Sequence, residues 1–312
     1  MKIILFILLH SLCLANIFVV PEDRPTIQEA INASADGDTV LVRPGDYYEN
    51  IVIDKSIVLA SEAIYDEMDD WITLSGDEWV VSNENVLNTR LIGSEPDDPD
   101  FGSVILITPD SDECITPEVT GFTIQDGEGT NVLMENDEGE TIGVRIGGGL
   151  LADVSIPYIH HNQFLDNGSD GLFSGGGTYS TTEPSDWGFD NRFSNFSPRC
   201  DIGELQMNDN LFNGNQAAFG NSVANNYHED GFDMSGSVFD VYNCADQNNN
   251  VVSSAWIAIE DASEVDYTGI EGNDCAITSS DVYVDSNISS ECDDDDCGTE
   301  SNPFKTISRA LE

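Results

Sequence analysis

Hydrophobic residues in this chain come in short runs of three to seven, separated by Gly, Pro, Asn and Asp, a spacing too tight for crossover helices between strands. The clearest stretch runs from Pro25 to Leu59. Thr26 and Glu29 make a capping box, and Ile27, Ala30 and Ile31 share one face, which predicts a short helix ended by Asp36-Gly37-Asp38. Three apolar runs follow, Thr39 to Val42, Tyr48 to Ile53 and Ile57 to Leu59, with turns at Pro44-Gly45 and Asp54-Lys55. Val86 to Ile92, Ser103 to Ile107 and Val119 to Ile124 read as further β-runs. Phe164 and Phe212 lie in similar contexts 48 positions apart, which fits two coils of about 24 residues. Gly and Asn tolerate positive φ and suit sharp corners; Asn can also stack as a hydrogen-bonded ladder from coil to coil. Three stretches break the period: Ser61 to Asn85, Glu128 to Arg145 and Ser180 to Arg199. Insertions of this kind usually emerge on one face of a repeat stack, often the binding face.

The opening helix, the Gly37-Asp38-Thr39-Val40 strand entry and the turn from Arg43 to Ile51 resemble the N-terminal cap of right-handed parallel β-helix proteins, the pectin-lyase-like superfamily. Val119 to Gly127, Ile159 to Gly168 and Asn208 to Asn215 resemble coils of the same proteins, in particular bacterial exported and surface β-helix proteins. The resemblance implies an all-β fold, a right-handed parallel β-helix with a short N-terminal capping helix, over residues 19–280. Near the end, Thr306-Ile307 and Ala310-Leu311 repeat Thr26-Ile27 and Ala30-Ile31, 280 positions on. Residues 281–312 therefore read as an acidic loop and the start of a truncated second module; the alternative is a helix that caps the first stack.

Lys2 followed by the apolar run Ile3 to Leu12 and Cys13-Leu14-Ala15 reads as a signal peptide over residues 1–15, which predicts export. No run approaches the ~20 apolar residues that a membrane-spanning helix needs. Asp and Glu number 59 against 10 Lys and Arg, a formal net charge of -49. That balance argues against nucleic-acid partners, which need clustered basic groups. A saline habitat, with calcium sites contributing, accounts for the acidity. Among the six cysteines beyond the leader, Cys244 with Cys275 and Cys292 with Cys297 are the preferred disulfide pairs, leaving Cys114 and Cys200 as free buried thiols.

The resemblance raises polysaccharide cleavage, which by β-elimination needs an Arg or Lys base and usually calcium. The family's Arg-x-Pro-x-x-Arg and Trp-Ile-Asp-His motifs are absent: Arg192 and Arg199 have the wrong spacing, and Ala255-Trp256-Ile257-Ala258 lacks the Asp-His. Arg145, Arg192 and Arg199 are expected as surface ion-pair partners. His160-His161 lacks an acidic or Cys partner at metal-like spacing and is expected as a turn and surface pair. Asp293, Asp294, Asp295 and Asp296 are the candidate calcium ligands, and calcium is the one cofactor suggested. Trp71, Trp79, Tyr179 and Trp187 lie in or beside the insertions and are the candidate sugar-stacking residues. The expected function is a non-catalytic binding or structural module contacting extracellular glycans, one part of a longer multi-module protein; the alternative is a polysaccharide lyase.

Overall fold

The computed structural model describes residues 15–242, apart from interruptions at 77, 94–99, 136–139, 171–173, 183–184, 186–199, 201–202, 218–219 and 227–231, together with four short strands between 256 and 278. Most of the regular structure is parallel β: an eight-stranded sheet (A) and two seven-stranded sheets (B and C). The chain visits them in strict rotation. Thr39–Val42 lies in A, Gly45–Tyr48 in B and Ile51–Ile53 in C, before Val58–Ser61 returns to A beside the first strand. Each rotation stacks one coil on the last.

The predicted helix forms as α1, Ile27–Ala33, with Ile27, Ala30 and Ile31 buried. Thr26 accepts from the Glu29 amide at 3.1 Å, but the expected return bond from Glu29 is replaced. Instead the Glu49 carboxylate, from the connection between sheets B and C, accepts from the amides of Ile27 and Gln28 at 3.0 and 3.1 Å. The Gln28 side chain then pairs with Val52, accepting from its N–H at 2.7 Å and donating to its carbonyl at 3.2 Å. Val52 sits on the first strand of sheet C, so this amide occupies an edge that another strand would otherwise seek.

Inward side chains stack in columns because parallel strands pair in register. In sheet A, Val40, Leu59, Val119 and Ile159 form one such column, all fully buried. In sheet B, Leu91, Ile124, Phe164, Phe212 and Phe239 form another. Its three Phe rings stack nearly parallel with centroids 5.0 Å apart at each step. Phe164 and Phe212 lie on adjacent strands, so the 48 positions between them make one coil lengthened by the insertion after Tyr179, which corrects the expected two coils of about 24 residues. The corners between sheets carry two asparagine ladders. At the A–B corner Asn162 accepts from the Phe122 amide and Asn210 accepts from the Asn162 amide, each at 3.1 Å. At the B–C corner Asn167 and Asn215 repeat the arrangement at 2.9 and 3.1 Å. Before these ladder positions stand Gly121, His161 and Asp209 at one corner and Asp126 and Asp166 at the other, all at positive φ.

Two of the period-breaking stretches have defined structure. Strands Gly129–Glu135 and Thr141–Ile146 form an antiparallel hairpin, and Val132 and Ile146 bury the outward residues Leu106, Leu151, Tyr179 and Ala224 of sheet C. The stretch from Glu62 to Asn88 holds a 3-10 turn, a hairpin of Ile72–Ser75 with Glu78–Val81, and a short helix α2, Glu84–Asn88. The expected β-run from Val86 to Ile92 is thus corrected: its first half is helix, because the Asn83 side chain accepts from the amides of Asn85 and Val86 and starts a turn there. The expected runs Tyr48 to Ile53 and Val119 to Ile124 each divide at a corner into strands of two different sheets.

Cys114 and Cys200 are joined in a disulfide, which corrects their expectation as free thiols. They lie 86 residues apart in sequence and meet beside Val154 and Ile156, where coils stack at the C–A corner. Cys244, Cys275, Cys292 and Cys297 lie outside the described residues, as do residues 1–14 of the leader and 281–312 of the acidic terminus. Among the described residues, no helix is long and apolar enough to cross a membrane.

Candidate functional site

The A–B corner gathers the chemistry that the described residues offer. On the outer face of sheet A, register pairs Glu118 with Tyr158 and Thr120 with His160, one coil apart. The Tyr158 ring stacks on His160 at 4.0 Å. Glu118 Oε1 lies 3.2 Å from His160 Nε2, and His160 Nδ1 lies 2.8 Å from His161 Nδ1. A carboxylate accepts only, so in the neutral pair His160 donates from Nε2 to Glu118, and its Nδ1 accepts from the Nδ1–H of His161. The Nε2 of His161 is left with a lone pair. Burial lowers the pKa of His161 below the ordinary histidine value, the neighbouring His160 lowers it further, and Asp209 partly offsets both. Burial likewise raises the Tyr158 phenol.

Glu118, 42 residues earlier and across a coil boundary, gives His160 an acidic hydrogen-bond partner that no metal-like spacing in the sequence announces. Neither histidine points into the core: His160 follows the outward alternation of its strand, and His161 forms the corner itself at φ 54. Among the described residues, no three His, Cys, Asp or Glu side chains converge as metal ligands.

Trp71 stands edge-on to His161 with ring centroids 5.7 Å apart. It is only 5% exposed, packed with Ala63 and Val86 of the same insertion. Trp79 is half-buried against that cluster, and Tyr179 is buried under the sheet C hairpin. Trp71 and Tyr179 are covered and present no open face for stacking, whereas Trp79 keeps part of its surface exposed. Trp187, Arg192, Arg199 and Asp293 to Asp296 fall outside the described residues. Arg145 donates to the Gly129 carbonyl at 2.7 Å.

Across the corner, the outer face of sheet B is an open depression of about 350 Å³ walled by Leu87 and Asn88 of α2. Two outward columns run across it: Asp46, Arg90, Thr123 and Gln163 line it, as do Gln125 and Leu165 of a second column headed by Tyr48 and the buried Ile92. The Tyr48 ring is 65% exposed. Arg90 is held by Asp46 in a two-pronged pair, both bonds 2.7 Å. Gln125 donates its amide to Asp126 at 2.7 Å, and Asn88 donates to Glu84 at 2.9 Å. The Thr123 hydroxyl donates to the Val86 carbonyl at 3.1 Å and so fixes α2 against the floor, and its oxygen lies 3.3 Å from the side-chain amide of Gln163.

Sequence reading missed every one of these groove residues, although strand alternation in Gly45–Tyr48 does put Tyr48 on the outside. Arrays of planar amides around a central ion pair, with apolar patches at Leu87 and Leu165, can bond vicinal hydroxyls and lie against the C–H face of a sugar ring. No family model, no curated protein and no solved structure matches this chain.

Proposed function

We propose that this chain is an exported right-handed parallel β-helix that serves as a non-catalytic binding module, holding an extended glycan along the outer face of sheet B. Right-handed winding is the sense that strand twist favours for parallel crossovers. The observation that carries the binding reading is the open polar groove, floored by Gln125, Gln163 and the Asp46–Arg90 pair and headed by the exposed Tyr48 ring. Its floor positions recur once per coil, about 4.8 Å apart, a spacing on the scale of one sugar unit. Successive sugars then meet equivalent positions on successive coils.

The lyase alternative needs a cationic base at the groove. Arg90 is the cation there, and its guanidinium is committed to Asp46 on two prongs, which leaves it charged and shielded. A glycan array probed with the purified chain tests the binding reading, which expects saturable binding to a defined set of extended glycans. Formation of unsaturated uronate product from a polyuronate with calcium present would sink it in favour of the lyase.

A further inference from the structure

We infer that the groove on sheet B selects uncharged glycans and rejects polyuronates, an inference that rests on the glycan-binding reading above. A carboxylate-bearing ligand needs cations to replace its hydration, and the groove holds Arg90 already neutralised by Asp46. Turning Arg90 toward a ligand carboxylate would leave Asp46 unpaired beside that same carboxylate. The chain carries 59 acidic against 10 basic residues, so the long-range field is repulsive to polyanions as well.

The hydrogen-bond polarity of the floor points the same way. Gln125 and Asn88 each spend an N–H on a carboxylate, Asp126 and Glu84 respectively. Each therefore turns an amide oxygen to other partners. Gln163 adds a further amide beside the Thr123 hydroxyl. Amide oxygens turned to the groove suit hydroxyls, which can donate to them. They oppose carboxylates, which only accept.

The probes are neutral β-linked hexasaccharides chosen from the array hits, and hexagalacturonate with and without calcium, each titrated calorimetrically at low and high salt. We expect a neutral probe to bind with an affinity that salt changes less than about twofold, since uncharged contacts are little screened. Hexagalacturonate is expected to show no binding to the wild type and measurable binding to Asp46→Asn, which frees Arg90. Hexagalacturonate binding the wild type as tightly as any neutral probe overturns this inference while leaving the binding reading in place. An Asp46→Asn variant that gains nothing overturns the role given to the ion pair, and absence of any glycan binding overturns both readings together.

Discussion

Replacing Asn162 by Ala tests whether the corner ladders organise the stack. Asn162 is fully buried, and its side chain serves three backbone groups: it accepts from the Phe122 amide at 3.1 Å and donates to the Val119 and His160 carbonyls, each at 2.9 Å. Its amide nitrogen also lies 3.3 Å from the Asn210 oxygen in the next coil. Truncation strands the Phe122 N–H and removes one donor from each carbonyl. A buried polar group left without a partner costs about 1–3 kcal/mol, so counting the N–H near the top of that range and the carbonyls near the bottom gives about 3–5 kcal/mol. Asn213→Ala is the matched control, since Asn213 lies on the outer face of sheet B, half-buried, and its loss should stay within about 0.5 kcal/mol. Urea unfolding followed by circular dichroism reads both. Equal midpoints for the two variants would refute the claim that the ladder, and not the sheets alone, sets the corner.

Replacing both Cys114 and Cys200 with Ser should cost about 2–4 kcal/mol, because the bond closes a long loop in the unfolded chain; non-reducing peptide mapping should recover the two cysteines in one linked fragment. Phe212→Ala interrupts a three-ring stack at its middle and should cost about 3–5 kcal/mol in the same urea assay. His161 has its folded pKa lowered, chiefly by burial. Below about pH 6.5 the unfolded chain therefore binds this proton while the folded chain resists it, and stability falls as pH drops through that window. His161→Asn, which tolerates the positive φ of the corner, should lose that part of the pH dependence; identical pH profiles for the two proteins would contradict it.

What the sequence made legible was local. The Thr26 cap and the buried face of α1 follow from spacings within one helix, and the shared context of Phe164 and Phe212 marked a stacked column while the number of coils between them was misread. Contacts between coils were hidden, because insertions of unequal length make the separation of stacked residues irregular. Glu118 reaches His160 across 42 positions, Asp46 reaches Arg90 across 44, and Cys114 reaches Cys200 across 86. No single period would align all three. Trp71 misled for a related reason. A Trp inside an insertion reads as exposed until the insertion folds back, as Trp71 does against His161. Tyr48, within a regular strand, has no such cover.

The most direct test of the binding face is calorimetric titration of an array-selected neutral glycan against Tyr48→Ala, Gln163→Ala and Ile142→Ser. Ile142 is exposed on the hairpin over sheet C, remote in the fold from the groove floor, and serves as the control. The account predicts at least tenfold weaker binding for each sheet B variant, since one lost stacking or amide contact is worth about 1.4 kcal/mol or more, and wild-type affinity for Ile142→Ser. Wild-type affinity in both Tyr48→Ala and Gln163→Ala would contradict it.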